Sequence, residues 1–249
     1  MEDNLSNSFK NTIISEEAIN LAKEYSALAL DAVITDEMLK HVPILGTLVS
    51  FYKIGKSLRE RHSLKKIALF LSRLSQLSDD ERESFFEEIS KKDKYGETLF
   101  DKVLLILEKM DETAKAEITG NLARMYAKRV ISKDDFLRMA GIVERAVLHD
   151  LIVLHNHYRS YNFNTVDYWT YPLTAETKTS LFNLGLLTLT LDSKDAEYRA
   201  RRFEQKGAIT PDVKYNSNRL GEDLANLIFY ESENEEQQIV IEKMKARNV

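Results

Sequence analysis

The chain has 249 residues, of which 43% are hydrophobic and 30% are charged, and its formal net charge is −5. This is the composition of a folded globular protein, so a disordered chain is excluded. Eight glycines and three prolines are too few for the frequent turns of a β-sandwich or barrel, which excludes an all-β fold. The absence of cysteine excludes disulfides, thiol nucleophiles and Cys-based zinc sites.

The start of the chain bears on where the protein resides. It has neither a cationic segment nor an apolar run, which predicts that there is no signal peptide. The longest apolar stretch, Val42–Ile54, is interrupted by polar residues and is too short to cross a bilayer. We therefore expect a cytoplasmic protein, with peripheral attachment at the inner membrane as the alternative. Residues 1–14 are polar and are predicted to form a flexible leader.

The next part of the chain, residues 15–158, has the apolar spacing of a helical bundle. Ser15 followed by two glutamates predicts the first helix start, and Pro43 suits the first turn of the second helix. Short connections between the helices favour antiparallel neighbours. Later helices are expected at 63–75, 96–110 and 113–129. Two more are expected to begin at Ser78, which starts a capping box, and at Ser132, and the second of these should run to about Tyr158.

A basic segment lies within this bundle at residues 40–74. It contains eight Lys or Arg residues against Glu60 alone, a local charge of +7. One interpretation is an amphipathic helix that contacts a protein partner or an anionic membrane surface. The other is a core helix whose apolar stripe packs inside the bundle, which is favoured because every bundle helix needs such a stripe. The candidate contact residues are Lys53, Lys56, Arg59, Lys65 and Lys66.

An aromatic-rich stretch follows the bundle. Six aromatic residues, including the single Trp, occur between Tyr158 and Tyr171 with little helical periodicity. We interpret residues 159–173 as an aromatic connector packed at a domain boundary.

A smaller α+β module is predicted over residues 174–231. Thr174 is expected to cap a helix that runs to about Leu184. The elements expected after it are a strand at Leu186–Leu191, a returning strand at 208–215, and a helix that Ser217 or Asn218 caps. Residues 232–249 are predicted to form an acidic tail or an exposed helix.

Two short glycine-containing motifs mark the ends of this module's hairpin. A helix ends in Leu184-Gly185-Leu186, and Asn218-Arg219-Leu220-Gly221 opens the next helix. Gly185 permits the turn out of the first helix, and Gly221 lets the last helix approach the sheet closely. This order of elements resembles a winged-helix module.

The whole arrangement, a helical half joined to a winged-helix-like end, resembles the bacterial abortive-infection alpha proteins over residues 40–230. The resemblance implies a bacterial phage-defence context. It implies no particular chemistry. We predict that the protein acts through contacts with another protein, or with a membrane surface.

The winged-helix resemblance raises DNA binding as an alternative. Arg199, Arg201 and Arg202 lie in the expected wing and are candidate contacts to phosphate groups. The helix that would enter the major groove, Ala175–Asn183, offers Lys178 as its one cation. A winged-helix transcriptional regulator is therefore the alternative function, and DNA is a less expected partner than protein.

No catalytic motif is present: the chain lacks Gly-rich phosphate loops, nucleophile elbows, and zinc- or calcium-binding spacings. His149, Asp150 and His157 are expected on one helix. His149 and His157 would lie about 12 Å apart along its axis, which is too far for one metal ion to bridge. We predict no catalytic, metal or cofactor-binding residues, although an enzyme whose residues converge from distant positions stays an alternative. The sequence thus predicts a non-enzymatic protein, mainly α, with an N-terminal helical bundle followed by a smaller winged-helix-like module.

Overall fold

A computed structural model describes residues 2–27, 41–52, 58–163, 173–192, 212–228 and 235–247. These residues form twelve helices and one two-stranded antiparallel sheet, which confirms the mainly helical class. The chain divides into two compact units. Met1–Leu148 and Leu227–Val249 form the bundle unit, and His149–Asn226 form the hairpin unit.

The helices of the described residues follow one another along most of the chain, and the two strands come late in it. The helices are α1 (Glu2–Ile14), α2 (Glu16–Ala27), α3 (Pro43–Tyr52), α4 (Leu58–Leu74), α5 (Asp79–Ile89), α6 (Leu99–Lys109), α7 (Thr113–Ala127), α8 (Lys133–Arg145), α9 (Leu148–Phe163), α10 (Ala175–Asn183), α11 (Arg219–Leu227) and α12 (Glu235–Arg247). The strands β1 (Leu187–Asp192) and β2 (Asp212–Ser217) lie between α10 and α11.

Side-chain caps fix where several helices begin. At α5 the Ser78 hydroxyl accepts from the Glu81 amide at 3.3 Å, and the Glu81 carboxylate accepts from the Ser78 amide at 2.9 Å. The predicted capping box at Ser78 is confirmed. Thr98 forms a second box with Asp101 at the start of α6, so this helix begins later than the Gly96 that the sequence suggested.

The predicted flexible leader is wrong, because residues 2–14 form α1. Phe9 and Ile13 are buried in the core, and the Phe9 ring lies 4.3 Å from the Phe100 ring, centroid to centroid. The hydroxyl of the buried Thr12 accepts from the Ile44 amide at 3.0 Å. This segment is therefore polar overall but has a buried stripe that packs against α3 and α6.

The long helix expected from Ser132 to Tyr158 is two helices. Ala146 has extended backbone (ψ 152°) and ends α8, and α9 starts at Leu148. The last carbonyl groups of α8 receive donors from side chains, because Arg145 Nε donates to the Gly141 oxygen at 3.0 Å and Lys115 Nζ to the Glu144 oxygen at 3.4 Å. The helix can end there without leaving these carbonyls unpaired.

The boundary between the units also differs from the expected one. The hairpin unit begins at His149, so all of α9 beyond its first residue belongs to it and not to the bundle. The first residues of the predicted aromatic connector, 159–163, are helical, and residues 164–172 lie outside the described part of the chain.

The C-terminal segment is not a wholly exposed helix. Residues Ile241 and Met244 of α12 are 8% and 3% exposed, whereas Ile239 is 56% exposed. One face of α12 therefore contributes to the core of the bundle unit.

A close backbone approach joins α4 to α7 at Gly120. A methyl group at this position would lie 2.7 Å from the carbonyl oxygen of Phe70, well inside van der Waals contact. Phe70 and the neighbouring Leu122 are fully buried. Glycine is required here because any side chain would force the two helices apart.

We expect Gly120→Ala to lower the free energy of unfolding by about 1–3 kcal/mol, because the added methyl overpacks the contact between α4 and α7. The matched control is Gly141→Ala in α8, where a methyl group meets no atom within 4 Å. That variant should be more stable than the wild type by about 0.5–1 kcal/mol, since alanine is the better helix former. Urea denaturation followed by circular dichroism measures both, and equal effects of the two substitutions would contradict the close approach.

Candidate functional site

Two of the predicted contact residues of the basic segment are buried in the bundle. Lys65 is 8% exposed and Lys66 is 5% exposed. Lys66 Nζ donates to the carbonyl oxygens of Glu108 and Met110 at 2.9 Å each, at the C-terminal end of α6. The ammonium group thus pairs carbonyls that the helix leaves without intrahelical donors, where the helix dipole also favours a positive charge.

Lys65 and Lys115 bond helix ends in the same way. Lys65 Nζ donates to the Tyr25 carbonyl near the end of α2 at 3.3 Å, and burial lowers the pKa of this lysine. Lys115 is 1% exposed and bonds the Glu144 carbonyl at the end of α8 together with the Asp111 carboxylate at 2.6 Å. This hydrogen bond to Lys115 lowers the pKa of Asp111.

These bonds correct the prediction that Lys65 and Lys66 are contact residues for a membrane or a partner. Lys65 and Lys66 are engaged inside the bundle and do not face a membrane or a partner. The backbone of Arg59 lies in α4, and Lys53 and Lys56 lie outside the described residues.

The apolar stripe of α3 belongs to the core. Ile44 and Leu45 are fully buried and Leu48 is 5% exposed. The core interpretation is therefore confirmed for these three side chains, which are unavailable for insertion into a lipid surface. Among the helices described, none combines the length and the apolar character that crossing a membrane requires.

Polar side chains of α9 bond to α10 and α11 within the hairpin unit. Asp150 is buried and accepts from the Thr177 hydroxyl of α10 at 3.2 Å. His155 Nδ1 lies 2.7 Å from the Ala225 carbonyl of α11. Burial, and secondarily the charge of Lys178, lowers the pKa of His157. Within the described ranges no group of three or more His, Asp or Glu side chains could hold a metal ion.

The two glycines singled out in the sequence shape the hairpin as expected. Gly185 has a φ of +77° at the end of α10, where its amide and that of Leu186 bond back to the helix. At Gly221 a methyl group would overlap the carbonyl oxygen of Leu186, so α11 can cross the start of β1 only without a side chain there. Asn218 caps α11, accepting from the Gly221 amide and donating to the Gly185 carbonyl, both at 2.9 Å.

One face of the hairpin is apolar and exposed to solvent. The side chains of β1 alternate between the two faces, and Leu189 pairs with Tyr215 of β2. The Tyr215 ring meets the Phe182 ring of α10 edge to face at 5.9 Å. Leu191, Leu189 and Phe182 are 64%, 37% and 37% exposed. We call Phe182, Leu189, Leu191 and Tyr215 the hairpin face.

The opposite side of the hairpin is polar. Asn216 donates from Nδ2 to the Thr190 hydroxyl at 2.8 Å, and the Thr188 hydroxyl lies 3.4 Å from the Asn216 carbonyl. The alternation Leu-Thr-Leu-Thr-Leu in β1 is the sequence signal for a two-faced strand. Sequence reasoning used it to predict a strand but missed that its apolar side is exposed.

The features expected of a DNA-reading module are weak in the described part of the hairpin unit. In α10 the cation Lys178 is accompanied by Glu176 in the first turn, so the helix carries no net positive charge from these two residues. The three arginines of the expected wing, Arg199, Arg201 and Arg202, lie outside the described residues.

Comparison of the chain with protein-family models, with curated proteins and with solved structures gives no match.

We expect Lys66→Met to lower the free energy of unfolding by about 1–3 kcal/mol, because it leaves two carbonyl groups at the end of α6 without their donor. Lys91→Met, which removes an exposed lysine, should change it by less than about 0.5 kcal/mol. Urea denaturation of both variants makes the comparison. If Lys66→Met is as stable as Lys91→Met, the buried amine does not stabilise the helix end.

Proposed function

We propose that this protein is a non-enzymatic binding protein of the bacterial cytoplasm that recognises another protein through the hairpin face. The observation that supports the proposal is the exposure of Leu191, Leu189 and Phe182 on one side of the hairpin. Exposed apolar side chains that are contiguous, and are not scattered singly, are typical of protein interaction sites.

The chemistry of the hairpin face suits a protein partner. Its four side chains are two aromatic and two aliphatic, and none is charged. The centres of protein interfaces are rich in aromatic residues and poor in charged ones, whereas contact with nucleic acid depends on cations that neutralise phosphate. The face is therefore better suited to an apolar patch on a protein than to DNA.

Contacts within the hairpin unit also join the hairpin face to its neighbouring helices. Gly221 and Asn218 tie the hairpin to α11, and the contact between Phe182 and Tyr215 ties it to α10. A surface that is already ordered loses less conformational entropy when a partner binds.

The biological setting that we propose is phage defence. It rests on the resemblance of the order of elements to the abortive-infection alpha proteins. In that setting the hairpin unit would bind the partner.

We expect a photo-crosslinking residue, p-benzoylphenylalanine, at position 191 to form a discrete protein adduct in cells of the native host. The same residue at position 190 should form none, because Thr190 lies on the polar side of the same strand and is also exposed. Denaturing gel electrophoresis and mass spectrometry identify the adduct. In the variant with the crosslinker at 191, Leu189→Lys should abolish the adduct. Equal adducts from positions 190 and 191 would contradict the proposal.

A winged-helix DNA-binding regulator is the second candidate. The order of α9, α10, the hairpin and α11, with Gly185 at the turn, favours it. On α10, the helix that would enter the major groove, the negative charge of Glu176 offsets the positive charge of Lys178. This counts against DNA binding.

We expect duplex DNA to bind weakly and without sequence preference, since phosphate contacts alone are strongly weakened by salt. Fluorescence anisotropy with a labelled genomic fragment pool measures this as salt is raised to about 150 mM. Sequence-selective submicromolar binding at that salt would favour the regulator over the protein-binding function.

A further inference from the structure

A cavity of about 410 Å³ lies within the bundle unit, lined by residues of α1, α3, α4 and α6 and by the segment before α6. Its size is that of a pocket for a small organic ligand. Seven of the thirteen lining residues that the structure describes are leucine or isoleucine. It belongs to the bundle unit and shares no residue with the hairpin face, so inference from it does not depend on the proposed function.

The cavity combines buried and exposed aliphatic side chains. Leu48 of α3 and Leu64 of α4 are buried, whereas Leu105 of α6 is 54% exposed. Leu104, next to it, is half-buried. The lining therefore runs from the protein core to solvent, so that a ligand can bury an apolar body and keep one end near water.

The charged lining residues are mostly acidic. Among the described residues of the lining, three are acidic, Glu97, Asp101 and Glu108, and one is basic, Lys66. The Lys66 Nζ is committed to the carbonyls at the end of α6, at 2.9 Å. The described lining residues thus carry a net negative charge, and the Lys66 ammonium is directed to the backbone.

The carboxylates differ in what they already bind. Asp101 accepts from the Thr98 amide and hydroxyl as part of the α6 cap, and Glu97 lies 3.6 Å from Lys102 Nζ. Glu108 is exposed, and its backbone carbonyl oxygen accepts the hydrogen bond from Lys66. Glu108 can therefore meet a ligand cation without breaking the helix cap.

We propose that this cavity binds a small organic cation of the alkylammonium class. The alkyl body lies against the leucine and isoleucine side chains, and the ammonium group lies at the carboxylates. Burial of the alkyl chain supplies the affinity, and the negative lining selects a cation over an anion of equal length. An alkyl carboxylate would bring a fourth negative charge to the same lining.

Isothermal titration calorimetry of the full chain with decyltrimethylammonium and with decanoate, each below its micelle concentration, tests this. We expect saturable one-site binding of the ammonium compound at submillimolar concentration, with decanoate at least tenfold weaker. Decanoate that binds as tightly overturns the charge selection. The proposal is also overturned if the ammonium compound binds without saturation or at many sites.

Variants locate the binding in the cavity. Leu104→Trp fills part of it and should weaken binding at least tenfold. Leu105→Trp, at a more exposed position, gives the same test if the first variant fails to fold. Glu108→Gln should weaken binding at least threefold, whereas Glu87→Gln, an exposed acid of α5 outside the lining, should leave it unchanged. Wild-type affinity in the tryptophan variants, or equal losses in the two glutamine variants, overturns the assignment.

Discussion

The bundle unit depends on donors that reach the buried C-terminal ends of its helices. Each helix end leaves carbonyl groups unpaired, and burying such groups without a partner is costly. Glycine in the left-handed conformation is the common solution, but this chain has only eight glycines. Lys65, Lys66 and Lys115 supply the missing donors from neighbouring helices.

A second solution is a left-handed residue other than glycine. At the end of α7, Arg129 has a φ of 57°, its amide bonds to the Tyr126 carbonyl, and the Val130 amide bonds to the Met125 carbonyl. This is the same arrangement that Gly185 forms after α10 in the hairpin unit. The chain thus ends helices with long basic side chains where other proteins use glycine. A positive local charge in its sequence is for that reason a poor guide to a basic surface.

Local signals in the sequence predicted local structure well. The caps at Ser78 and Thr174 depend on residues only three positions apart, and both are found where the sequence indicated. Short motifs predicted a turn at Gly185 and a close helix approach at Gly221, and the structure has both.

Features set by distant residues were not predictable. The burial of Phe9 depends on Phe100, and the end of α8 depends on Lys115, both far away along the chain. The hairpin face was visible as an alternation, but its exposure depends on how far β1 extends beyond the buried Leu187. The cavity arises from four helices together, so no single segment of the sequence indicates it.

The burial of three amines has a consequence for the chemical reactivity of the protein. Acylating reagents attack an uncharged amine that is open to solvent, and Lys65, Lys66 and Lys115 are all less than one-tenth exposed. Such a reagent reaches them only when a helix end separates from its neighbour. An acyl group added at that moment removes the charge and leaves one N–H in place of three, so that the carbonyls at the helix end lose a charged donor. The rate at which these three lysines are labelled is therefore a measure of local opening in the bundle, resolved helix by helix.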